Sequence, residues 1–256
     1  ENNSNDRFEA ADRLNRLIGH GEGPFWGHPV GRRYRNLAMT KPGYDHGLEE
    51  KRLCEHAITD TQPVWKLAGV GSVGGQVMTG LPVVRALRSD KRLRERCRIW
   101  PFEPGLSPMT ARDTAKTPIV LAEIYPSLVT PVSARPAVKD ALQVQAIAAH
   151  MAAADDERKL GRMFAGSPDL TAKQRRTIER EEAWILGVDR PGTRAGSIRV
   201  DVDAAYGAAG FAYLNDGAAI YAESRRIIES ETDLTRLPEA LRPLAVRLIH
   251  TCGMPD

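Results

Sequence analysis

Apolar positions along the chain fall into short runs, some helical in period and some continuous, separated by glycine, proline and polar clusters. Near the start, Phe8, Leu14 and Ile18 recur on one side of a helix, and the run Gly19-His20-Gly21-Glu22-Gly23-Pro24 ends it. A loop-rich stretch extends to about residue 51. Val64-Trp65-Lys66-Leu67-Ala68 then predicts a strand, followed by a glycine-rich turn over 69–75 and a helical stretch from 76 to about 96. Residues 98–103 predict a short strand. The continuous run Pro118-Ile119-Val120-Leu121-Ala122-Glu123-Ile124 predicts a stronger one, of the kind buried in a sheet. Pro136 opens a helix on which Asp140, Val144, Ile147 and Met151 share a face. Thr171 with Gln174 forms a capping-box pattern ahead of a helix reaching Leu186. Strands alternating with helices give an α/β fold class.

The texture changes over 189–210, where Pro191-Gly192, Gly196, Gly207 and Gly210 alternate with scattered alanines. This stretch reads as a linker, with Ile198-Arg199-Val200-Asp201-Val202 hinting at a strand. Beyond it, Asp216 caps a helix carrying Ile220, Ser224 and Ile227 on one face. A second helix runs to about 251, with Leu241, Leu244, Ala245, Leu248 and Ile249 apolar. Pro243 belongs in that helix's first turn, since an interior proline costs about 3 kcal/mol. The expected organisation is an α/β segment over 1–188, a linker over 189–210 and a helical piece over 211–256, with no internal repeat.

Composition narrows the class without fixing it: 42% hydrophobic and 27% charged residues are ordinary for a globular chain of 256 residues. A formal charge of +3 is too small to demand a polyanionic partner, although 85–98 holds seven arginines and lysines and is expected to be a solvated face. Three widely spaced cysteines (Cys54, Cys97, Cys252) make no disulfide framework, which fits a reducing cytoplasm. No run reaches the ~18 apolar residues of a membrane span, and the polar opening is not a signal peptide. The missing initiator methionine suggests a processed, truncated or fragmentary start.

Several patterns bear on chemistry. Gly69-Val70-Gly71-Ser72-Val73-Gly74 matches a dinucleotide-binding turn, but the candidate ribose acid, Glu103, lies later than the roughly 20-residue spacing. A tight turn with close helix packing is the better reading. His20, His28, His46, Cys54 and His56 lack zinc-finger spacing, and neither Cys54 nor Cys97 carries a nucleophile signature. Glu123 closes a buried strand and Asp140 starts the next helix, so the two carboxylates would converge on a divalent metal; a first-turn aspartate is also favoured by the helix dipole alone.

The segments 65–82, with its run Trp65-Lys66-Leu67-Ala68-Gly69-Val70-Gly71-Ser72, then Ile99-Trp100-Pro101-Phe102-Glu103, and Ala122-Glu123-Ile124-Tyr125-Pro126-Ser127-Leu128 resemble an uncharacterised bacterial family with an expected ribonuclease H-like fold. The resemblance covers roughly 23–188. It implies an incomplete ribonuclease H-like layer, with Glu123 and Asp140 at acidic positions of a metal-dependent nuclease or nucleic-acid-binding module. The family's first aspartate is expected before Glu1.

A second resemblance is carried by Tyr213-Leu214-Asn215-Asp216, Ile220-Tyr221-Ala222-Glu223-Ser224, Glu231-Thr232-Asp233-Leu234 and Ala245-Val246-Arg247-Leu248-Ile249-His250-Thr251-Cys252-Gly253. These residues resemble the first segment of precorrin-8X methylmutase. The resemblance implies an isomerase of cobalamin biosynthesis that moves a methyl group on the corrin ring, takes a corrinoid substrate, uses no separate cofactor and works as a homodimer. His250 matches the family's catalytic histidine, while Ser224 and Arg247 match substrate contacts. Arg225 and Pro243 depart from the pattern. With only the opening of such a domain present, this chain alone is expected to be inactive; a non-catalytic fusion fragment is a further alternative.

Overall fold

The computed structural model describes residues 6–18, 23–43, 47–59, 61–134 and 139–205. In chain order these form α1 (Arg7–Ile18), α2 (Leu53–His56), α3 (Val73–Ser89), β1 (Cys97–Ile99), α4 (Ala111–Lys116), β2 (Ile119–Leu121), β3 (Val129–Val132), α5 (Lys139–Asp156), α6 (Leu160–Met163), α7 (Ala172–Thr177) and β4 (Ile198–Asp201). The class is α/β. Strand β1 pairs with β2 and β3 with β4, both parallel, in two separate sheets of two strands.

Helix α1 buries Phe8, Ala11 and Asn15, whereas Leu17 and Ile18 are exposed. The buried stripe therefore differs from the Phe8–Leu14–Ile18 stripe expected, because Asn15 earns its place by hydrogen bonding. Its side chain accepts from the Phe25 amide at 2.9 Å and donates to the carbonyls of Phe25 (2.9 Å) and Asn36 (2.6 Å), tying the loop-rich stretch to the helix. Phe8, Ala11, Phe25, Leu37 and Leu67 form a small core around this contact.

Residues 64–68 are not a ladder strand. They make one parallel bridge, between Lys66 and Trp26, with Trp26 donating to Trp65 O at 3.1 Å and Leu67 donating to Trp26 O at 2.9 Å. The loop offers no longer extended partner. Strand β1 ends before Pro101, which has no N–H to give a ladder, and Trp100 N closes the pairing on Leu121 O at 2.9 Å.

The larger core gathers Trp100, Ile147, Met151, Ile178, Trp184, Val188 and Val202. Each such apolar side chain contributes about 1.5–3 kcal/mol of burial. Helix α5 supplies Ala146, Ile147 and Met151 to it and packs against β3 and β4; of the face expected from its period, Ile147 and Met151 are buried, Val144 is half-buried and Asp140 is exposed. Its proposed opening at Pro136 lies outside the described residues. The Thr171 capping box forms, with Gln174 N donating to Thr171 Oγ1 at 3.3 Å and Thr171 N to Gln174 Oε1 at 2.9 Å. The helix ends well short of Leu186: α7 passes into a π-turn over Ile178–Glu182, and Ala183 at φ 63° breaks it.

The stretch read as a linker is partly integrated into this fold. Strand β4 pairs with β3 in register Val129↔Ile198 to Val132↔Asp201, and Val202 is fully buried. Thr193 N donates to Ala57 O at 2.9 Å, and Gly196 N to Ser127 O at 2.6 Å. The glycine and proline punctuation ahead of β4 marks turns leading into a strand rather than a free tether.

Candidate functional site

The glycine turn is built for close packing. Gly69 (φ 87°) and Gly71 (φ 72°) take left-handed backbone that bends the chain into α3. A Cβ on Gly74 would fall onto the carbonyl oxygen of Val64 and 2.7 Å from that of Lys66, and one on Gly75 would lie 2.7 Å from Leu67 O. The first turn of α3 thus rests directly on the backbone of 64–67, which has no parallel ladder of the kind that carries a pyrophosphate-binding turn. Glu103, the candidate ribose acid, closes the open edge of β1 instead. Its Oε2 accepts from Ile99 N at 2.7 Å, while Arg88 donates to both its oxygens at 3.0 and 2.6 Å. The hydrogen bond from Arg88 holds the Glu103 carboxyl below the usual carboxylate range.

Within the basic run 85–98, ion pairs tie Arg88 and Arg98 to Glu103, Arg92 to Asp90 and Arg94 to Glu95. Part of its charge is therefore neutralised locally.

Glu123 sits just past β2, where its backbone bridges to Ile185. Both of its carboxylate oxygens accept from Arg52, Oε2 from Nη1 and Oε1 from Nη2, each at 2.8 Å. The same guanidinium donates to Glu55 Oε1 from Nε (3.1 Å) and Nη2 (2.8 Å), and from Nη1 to the Glu182 carbonyl at 3.1 Å. Glu182 returns through its side chain, accepting from Leu53 N at 2.8 Å. Burial opposes the Arg52 charge, but the hydrogen bond and charge of Glu123 outweigh it and push its pKa up. Neighbouring Cys54 is fully buried, and burial pushes its thiol up to about 12, so it is no thiolate near neutrality. Asp140 is exposed in the first turn of α5. Among the described residues no group of three or more histidine, cysteine, aspartate and glutamate side chains could hold a metal ion. No helix among them is long and apolar enough to cross a membrane.

Sequence reading missed Arg52. Its i,i+3 spacing to Glu55 was visible, but its partners Glu123 and Glu182 lie 71 and 130 residues away. Ser224, Arg247 and His250 lie outside the described residues.

Comparison with known proteins bears on part of the chain. Over 44 residues it is 50% identical to a precorrin-8X methylmutase of Pseudomonas aeruginosa, a match covering 17% of this chain and 21% of that protein. Over 41 residues it is 51% identical to a precorrin-8X methylmutase of Sinorhizobium, covering 16% and 20%. The chain carries a partial resemblance to precorrin-8X methylmutase. It spans about a fifth of the length of these curated relatives. No family profile and no solved structure matches it.

Proposed function

We propose that this protein is a precorrin-8X methylmutase-related isomerase of cobalamin biosynthesis, with a corrinoid substrate bound by residues of 213–256. The observation that carries the reading is the half-identical stretch shared with two precorrin-8X methylmutases. Chemistry supports it. Moving a methyl group between adjacent ring carbons leaves composition unchanged and is biased by adding a proton to the ring and later removing it. Imidazole exchanges a proton near neutral pH, which gives His250 its role. Arg247, three positions earlier, offers a planar fork suited to a substrate carboxylate, and Ser224 offers a hydroxyl. Neither step requires a separate cofactor, and a homodimer completes the proposed enzyme. For the front segment the proposal is an incomplete ribonuclease H-like layer, and its parallel β1–β2 pair supports an α/β class alone.

General acid–base help is worth about 10²–10⁴-fold, and only when the substrate is already held. The match covers about a fifth of each curated relative, so the activity of a whole methylmutase is a proposal for this protein. The experiment incubates precorrin-8X with the protein, with and without His250→Ala, and separates the equal-mass isomers by chromatography. Turnover that falls by about 10²-fold or more on substitution is expected. Full activity in the His250→Ala protein would remove His250 from the mechanism, and no turnover in either protein would refute the isomerase reading.

A further inference from the structure

We infer that the cation of the Glu123 site is the Arg52 guanidinium itself, so that the junction of Arg52, Glu55, Glu123 and Glu182 is an ion-pair lock rather than a divalent-metal centre. A guanidinium has five N–H donors in a fixed plane, and no acceptor. At Arg52 all five are used: one from Nε to Glu55, two from Nη1 to Glu123 and the Glu182 carbonyl, and two from Nη2 to Glu55 and Glu123. The fork meets both Glu123 oxygens at 2.8 Å, the paired geometry in which arginine binds a carboxylate most strongly.

A divalent ion on Glu123 would have to share one negative charge with a guanidinium that cannot lose its proton, placing two cations a few ångströms apart. Expelling Arg52 to make room would strand Glu55, whose side chain is only 5% exposed, as a buried carboxylate without its cation. Asp140 is exposed in the first turn of α5, and among the described residues no group of three or more acids, histidines and cysteines could hold a metal ion. The donor set fits arginine and does not fit the metal that the ribonuclease H-like resemblance implies. What the lock does is mechanical: it fastens α2 to the end of β2 and to the π-turn that follows α7, three segments distant in sequence.

The test has two readouts on the full chain. Calorimetric titration with Mn²⁺ compares wild type with Glu123→Gln, and thermal unfolding follows a double-mutant cycle of Arg52→Gln, Glu123→Gln and the pair. The lock predicts no Glu123-dependent Mn²⁺ uptake, a lowered Tm for each single variant, and a double variant whose loss is smaller than the sum of the two. Should Arg52→Gln fail to fold, Arg52→Lys keeps the charge, removes the fork and replaces it in the cycle. Saturable Mn²⁺ binding that Glu123→Gln abolishes, or additive losses in the cycle, would overturn the inference.

Discussion

Replacing Gly74 and Gly80 with alanine, one at a time, puts the close approach of α3 to residues 64–67 to a test of sign. Both glycines lie in the same helix, and on propensity alone each substitution should stabilise it by up to about 1 kcal/mol. Around Gly80 nothing lies within 4 Å of the added methyl group, so that gain should be realised. At Gly74 the methyl group would overlap the carbonyl oxygen of Val64 and sit 2.7 Å from that of Lys66. Those carbonyls are not free to retreat. Val64 N is bound to Glu50 O at 3.1 Å, Leu67 N to Trp26 O at 2.9 Å, and Trp65 Nε1 to Glu49 O at 2.8 Å. Overpacking against fixed backbone costs about 1–3 kcal/mol, and two carbonyls in the way put this case at the upper end. The net expectation is destabilisation by about 1–2 kcal/mol for Gly74→Ala and stabilisation by about 0.5–1 kcal/mol for Gly80→Ala. At ~2–4 °C per kcal/mol for a chain of this size, the two Tm values should move in opposite directions and differ by several degrees. Thermal and urea unfolding followed by circular dichroism measure both. A Gly74→Ala protein as stable as Gly80→Ala would show that the helix does not rest on that backbone, and would reopen the turn as a binding loop.

Two further outcomes follow from particular contacts. Because Arg88 lowers the Glu103 carboxyl, its stabilisation is fully present above the ordinary value of 4.5 and is lost as pH falls through the lower folded-state value. Glu103→Gln should therefore cost about 0.5–1 kcal/mol at pH 7, and the difference from wild type in urea unfolding should shrink as the pH drops below 4.5; a gap that persists at low pH would refute the ion pair. Val202→Ala should destabilise the chain by about 1–3 kcal/mol, since the side chain is fully buried, whereas an unchanged urea midpoint would return this residue to a linker.

Local signals carried furthest from sequence to structure. The Thr171–Gln174 capping box spans three residues, and the turn into α3 is set by glycines a few residues from the helix they open. The Ile147–Met151 face of α5 follows from helical period alone. Signals that depend on a distant partner did not carry. Residues 64–68 have strand composition but find only Trp26 beside them. Strand β3 contains Pro131 and was not read as a strand, so nothing in 189–210 announced that Ile198–Asp201 had a neighbour. Three of the four β4 residues are exposed, which leaves little of the alternation that marks a half-buried strand.

The same limit explains the two acids singled out at strand ends. An acid at the C-terminal end of a buried strand is a reasonable place to look for a ligand, and Glu103 and Glu123 both qualified. Each is held by both oxygens in the fork of an arginine, Arg88 for the first and Arg52 for the second. Strand ends leave backbone groups and edges to satisfy, and a carboxylate that does so must be neutralised in turn. Glu103 shows this directly, because the oxygen that accepts from Ile99 N also accepts from Arg88. Position on the strand therefore cannot separate a ligand from a clamp. What separates them is whether the nearest cation is covalently part of the chain, and here that cation comes from residues 15 positions away in one case and 71 in the other. Any chemistry proposed for this protein then rests on its resemblance to the methylmutases, half-identical over a short stretch, and on His250 and Arg247, three positions apart in the sequence.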